Sequence, residues 1–309
     1  MITSLFRKST PLNYTILIIS VLIFFLLFQT GHSDGELTPI LLLEKITLGG
    51  LIFASLFIVN FIVKKNGLSK DNSYTILFYL LFMLFFPSVM DNINMILANF
   101  FILFALRRLM SLHSLKAHKE KIFDASFWIF VAALFHFWSI LFIILVFISI
   151  FFHVSRDYRN WLLPFIAFFA AIMAFGFFAL IFDETRIAHV FESMKINIRI
   201  DYFTNIYQNL AISLYAAIAV FFIASLVLTY STRPLMLHSS YKKIIMAFLT
   251  AVAVYVISSN KSNDLLLFTI APLAMMATSH IEVTQLKWQK EVVLAGVILC
   301  SLISYFTQL

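Results

Sequence analysis

Charge is scarce in this chain. Of its 309 residues only 12% are Asp, Glu, Lys or Arg, against 62% hydrophobic. A soluble domain carries about a quarter of its residues as charges, so a soluble fold is excluded. Glycine is scarce as well, at seven residues, so close small-residue helix crossings are not the main packing device. The single cysteine, Cys300, sits in an apolar run. An intrachain disulfide, a thiolate metal site and haem attachment through cysteine are therefore excluded.

Phenylalanine is plentiful, at 37 residues, and suits lipid and interhelix packing equally. The net charge of +7 would suggest nucleic acid on a soluble protein. Spread over a membrane topology it marks a cytoplasmic face instead, so the expected partner is membrane lipid and not nucleic acid. The start, Arg7-Lys8 before an apolar run, has a signal-peptide shape but no small-x-small cleavage site. It reads as a retained first span.

The threading hinges on residues 123–152, almost unbroken in apolar character, with Arg107, Arg108, Lys116, Lys119 and Lys121 upstream and Arg156 and Arg159 downstream. As one helix this run would be about 45 Å long, well past a hydrocarbon core of about 30 Å. It would also put the two basic clusters on opposite faces. Folding back near His136-Phe137-Trp138-Ser139 keeps both clusters inside. Eleven spans follow, near 13–29, 46–63, 74–89, 93–106, 124–136, 138–152, 161–182, 208–230, 244–258, 265–279 and 292–308. The expected fold is an all-α, polytopic transmembrane helix bundle forming a single domain, N-terminus cytoplasmic. On this threading 17 of the 22 Lys and Arg lie inside and nine of the 15 acids outside.

Chemistry is therefore sought in the outer loops. The first contains His32-Ser33-Asp34-Gly35-Glu36. Two carboxylates so close can meet at one Mg²⁺ or Mn²⁺, or one can accept a proton from a hydroxyl. Thr38-Pro39 then starts a short surface helix. Residues 183–207 carry Ile187, Val190, Phe191, Met194 and Ile198 at helical spacing, with His189, Glu192, Lys195 and Arg199 opposite, the pattern of an interfacial amphipathic helix. The connection Ser258-Ser259-Asn260-Lys261-Ser262-Asn263-Asp264 offers a lysine to a phosphate, and Asp264 to that lysine or to a hydroxyl. His136 and Trp138 at the hairpin tip suit a saccharide. Asp91, Asn92 and Asn94 form another polar tip.

An acidic first outer loop followed by a surface helix, and a late Lys261 loop running into Pro272, resemble the GT-C glycosyltransferases, which use polyprenyl-phosphate-linked sugars. The segment from Ala133 to Trp138 is similar to the polysaccharide-polymerase (EpsG/Wzy-like) proteins. The opening Ser4 to Tyr14 resembles that of an uncharacterised bacterial integral-membrane family, which implies residence in the bacterial cytoplasmic membrane. The GT-C resemblance implies inverting transfer at the extracytoplasmic face. Asp34 or Glu36 would activate the acceptor or hold the metal. Lys261, with Arg186 or Arg199, would neutralise the departing lipid phosphate. His32, Asp91, His136, Trp138 and Asp264 complete the expected substrate-binding set.

Two other classes stand beside this one. A lipid or sugar-lipid transporter would place ionisable groups inside the bilayer, and none of the eleven expected spans has one at its centre. A non-catalytic membrane subunit of an envelope assembly would pack against a membrane protein partner.

Overall fold

The computed structural model describes residues 2–31, 39–182, 194–198, 205–259 and 261–309. Among these residues the chain is all-helical, and the sole strand-like feature is an isolated antiparallel bridge between Ile196 and Ser258. The helices are α1 (Ile2–Phe6), α2 (Pro11–Gly31), α3 (Pro39–Lys65), α4 (Tyr74–Met83), α5 (Ile93–Met110) and α6 (His118–Phe135). They continue with α7 (Ile143–His153), α8 (Arg159–Phe182), α9 (Ile206–Leu228), α10 (Leu235–Ile257), α11 (Leu267–Val283) and α12 (Lys287–Phe306). Short 3₁₀ turns at Pro87–Asp91, Phe137–Phe142 and Asn263–Leu266 precede α5, α7 and α11.

Each of the eleven expected runs falls on a helix, but among the described residues eight helices are long and apolar enough to cross a membrane: α2, α3, α5, α8, α9, α10, α11 and α12. The other three differ for identifiable reasons. The α4 helix has 10 residues because Pro87 keeps Phe86 out of the helical region (φ −132°, ψ 71°) and lacks an N–H to continue the ladder. The α6 helix starts within charged sequence, His118-Lys119-Glu120-Lys121. The α7 helix has 11 residues, the preceding turn being 3₁₀.

Two expectations need correction. No surface helix precedes the second span: α3 runs unbroken from Pro39, since Glu44 and Lys45 are good helix formers and nothing between them and Ile46 breaks the ladder. Within the expected amphipathic helix, residues 195–198 are not helical. The backbone there pairs with the end of α10, Asn197 N donating to Ile257 O at 3.2 Å. The rest of that expected helix lies outside the described residues.

At the basic end, α3 stops by a glycine cap. Gly67 takes φ +63°, in the left-handed region, and lets Leu68 N reach Val63 O (3.0 Å) and Gly67 N reach Lys64 O (3.2 Å).

Burial shows which helices are central. Every residue of α4 is buried, and 83% of the α11 span window is buried against 22% for α8. The short α4 can lie at the centre because its neighbours, not lipid, surround it. An aromatic cluster joins α4 to α9: Tyr215 sits edge-on to Phe86 at 5.0 Å and to Phe82 at 5.9 Å. Its hydroxyl meets Thr269 Oγ1 of α11 at 2.6 Å, so the phenol's polar end is satisfied in the core. Arg159–Phe182 leaves Phe165, Phe169, Phe177 and Ile181 exposed, an apolar face suited to lipid.

The hydrogen bonds sort the connections into two ends. At one, Thr3 bonds Glu291, Tyr74 OH bonds Thr3 O, Ser69 and Asn72 bond Glu282, and Tyr241 OH bonds Leu68 O. At the other, Gln29 donates to Met90 O (3.1 Å) and Gln308 to Phe85 O (3.1 Å). These groups match the expected inner and outer loops respectively. Among the described charges, the first end carries most of the Lys and Arg.

Candidate functional site

The less basic end gathers three helix breaks. The 3₁₀ turns Pro87–Asp91 and Asn263–Leu266 touch each other, and Phe137–Phe142 packs on α10. Asp264 joins the first two: Ser88 Oγ donates to its Oδ1 at 2.5 Å and Asn92 Nδ2 to its Oδ2 at 2.9 Å. Asn92 also caps α5 by accepting from Met95 N at 3.2 Å. Of the two partners expected for Asp264, lysine or hydroxyl, the hydroxyl is found. The carboxylate is buried and both its oxygens are taken, so it holds the turns together.

Lys261 points to another connection. Its ammonium donates to the carbonyls of Asn197 and, at 3.1 Å, of Ser258. Two of its three donors are thereby used on backbone. Trp138 Nε1 donates to Lys195 O at 3.3 Å, so the hairpin tip and the late loop both brace residues 195–197. Asp91 is exposed at the end of its 3₁₀ turn.

His136 is held by the break it makes. Its backbone is extended (φ −142°, ψ 106°), ending α6, and its ring lies 6.0 Å from that of Phe268. Phe142, from the same turn, meets Phe268 at 5.8 Å. His136 Nε2 is buried with no hydrogen-bond partner, and so are Ser139 Oγ and both amide atoms of Asn263. Each such group costs about 1–3 kcal/mol while unpaired. They are an imidazole nitrogen and a hydroxyl from one turn, Ser139 N donating to His136 O at 3.0 Å, and a whole carboxamide from the turn before α11, all uncharged, with Phe268 beside the imidazole. That set suits hydroxyl groups better than a free charge.

His32, Asp34, Glu36, Arg186 and Arg199 lie outside the described residues. The loop carrying the first three connects α2 to α3, and α2 ends at this same end through Gln29. Among the described residues no group of three or more His, Cys, Asp or Glu could hold a metal ion.

One cation expected in an inner loop lies in the core instead. Lys243 is buried in α10, its Nζ donating to Leu109 O at 2.6 Å and lying 3.3 Å from His153 Nε2. The expected span began at 244, whereas the helix starts at Leu235. A signal was present: Ser240, Lys243, Ile244, Ala247, Ala251 and Val254 share the buried stripe at helical spacing.

The eight long apolar helices among the described residues define a multi-pass membrane protein. Over residues 5–309 the chain matches the model of a family described as Family of unknown function (DUF6427), and it belongs to that family. No curated protein and no solved structure matches it.

Proposed function

We propose that the protein is a glycosyltransferase-like integral membrane protein that binds a polyprenyl-phosphate-linked saccharide at its less basic, extracytoplasmic end. In this reading the chain crosses the bacterial cytoplasmic membrane eleven times, α4, α6 and α7 included, with its N-terminus in the cytoplasm. The observation that carries it is that three residues at helix breaks of this end, His136, Ser139 and Asn263, carry buried, unpaired, uncharged polar groups. Sugar hydroxyls donate and accept, and this set needs both. The Phe268 and Phe142 rings supply the apolar face that sugar C–H groups favour.

Asp34 or Glu36, in the loop leaving the same end, takes the acceptor proton or holds Mg²⁺ or Mn²⁺. Lys261 keeps one N–H for the lipid phosphate, with Arg186 or Arg199 beside it. Stabilising the leaving phosphate is the larger contribution, and losing one such group lowers turnover about 100-fold.

A second reading, a non-catalytic membrane subunit, draws on the internal satisfaction of Asp264 and on the exposed apolar face of α8. The two separate on one experiment. Purified protein in nanodiscs is titrated with a polyprenyl-phosphate sugar and with the bare polyprenyl phosphate, and thermal unfolding is read. The saccharide reading expects extra stabilisation by the sugar, lost in Asn263→Leu. Equal stabilisation by both lipids, unchanged in that variant, rejects it. Glycan output unchanged in cells carrying Asp34→Asn with Glu36→Gln removes the catalytic role.

A further inference from the structure

At the basic end, the start of α6, the end of α7 and the connection into α8 border an open cleft of about 470 Å³. Its walls include His118, His153, Ser155, Arg156, Asp157 and Asn160. The volume lies in the range that accepts small ligands. Asn160 is fully buried: its Nδ2 donates to Val154 O at 2.9 Å, while its Oδ1 has no partner. A buried amide oxygen in a cleft wall calls for a donor.

The wall's charge is positive once its acid is accounted for. Asp157 is met by Lys119 at 3.5 Å and by Arg159 N at 3.0 Å. Arg156 is exposed at the rim and makes no ion pair among the described residues. Behind the wall Lys243 approaches His153 Nε2. With the ammonium donating, His153 becomes the Nδ1–H tautomer and so a donor itself.

We propose that this cleft binds a phosphate ester that also carries a free hydroxyl. Arg156 and the His153 Nδ1–H hold the phosphate oxygens, and the hydroxyl donates to Asn160 Oδ1; the His118 Nδ1–H is already given to Leu115 O at 3.4 Å. A guanidinium fits phosphate by paired hydrogen bonds, and basic pockets between helices on the cytoplasmic side suit phospholipid head groups. A phosphatidylglycerol head group and a soluble glycerol phosphate share this chemistry. The inference is independent of the saccharide reading, which concerns the opposite end.

Full-length protein in nanodiscs answers it, with lipid retention followed by native mass spectrometry and unfolding by heat. Phosphatidylglycerol is expected to be retained over phosphatidylcholine, and over phosphatidylmethanol, which has the phosphate but no hydroxyl. Arg156→Gln should weaken retention about tenfold or more, with His153→Gln weaker in the same direction. Lys116→Gln, also at the basic end, should leave it unchanged. Competition by sn-glycerol 3-phosphate assigns the site to a soluble ester, and its failure assigns it to lipid. Equal losses in the Arg156 and Lys116 variants, or no preference for the hydroxyl-bearing lipid, overturn the proposal.

Discussion

Lys119 Nζ lies 3.5 Å from Asp157 Oδ2, although a long apolar run separates the two in sequence. The contact closes the base of a helical hairpin whose tip is His136. Both basic clusters therefore emerge at one end, as the charge pattern requires. An exposed ion pair contributes little energy, so the pair reports the geometry more than it creates it. The hairpin is held by α6 packing on α5 and α8.

Asp157 gives a pH dependence with a definite sign. The Arg159 N–H, first, and then Lys119 hold its carboxyl below the usual carboxylate range. A group whose folded pKa is depressed stabilises the fold above its unfolded pKa of about 3.9 and loses that contribution as pH falls through the folded value. Asp157→Asn should lower the melting temperature near neutral pH and converge with the parent in acid. A deficit that persists unchanged in acid would contradict this.

Asp264 should be costly to remove. Truncation leaves the Ser88 hydroxyl and the Asn92 amide without the acceptor that joins two turns. Asp264→Ala should lose about 3 kcal/mol, read by thermal unfolding in detergent. Ser88→Ala alone should lose less, since Asn92 still donates.

Lys243 gives the reverse expectation. Its partners are a carbonyl and an imidazole, with no carboxylate among the described residues. Buried charges are often replaced by apolar groups of similar volume without loss. Lys243→Met should stay within about 1 kcal/mol of the parent, whereas Lys243→Ala, which opens a cavity, should lose about 2–3 kcal/mol. Near-equal losses in both would show that the ammonium, not the stem, matters.

Much of the architecture was legible because apolar runs and Lys/Arg placement are strong signals. The fold-back at His136 followed from charge and length alone. The continuity of α3 was hidden because Thr38-Pro39 and Glu44-Lys45 look like a separate short helix, yet a polar pair on one turn does not interrupt a ladder. The joining of Asp264 to Ser88 and Asn92 was only half legible. Asn92 stands in a polar tip and Asp264 in a polar connection, but partner choice between loops distant in sequence is set by packing. Lys243 was missed because a lysine beside another lysine reads as solvated sequence until its register on the helix is fixed.

Both proposed sites require the two ends to face opposite sides of the membrane. Single cysteines at Asp91, Lys261 and Arg156, in a Cys300→Ser background, can be labelled with a membrane-impermeant maleimide. In intact spheroplasts the first two should react and the third only after permeabilisation. Labelling of the Arg156 position in intact spheroplasts, or protection of both Asp91 and Lys261 positions, would contradict the account.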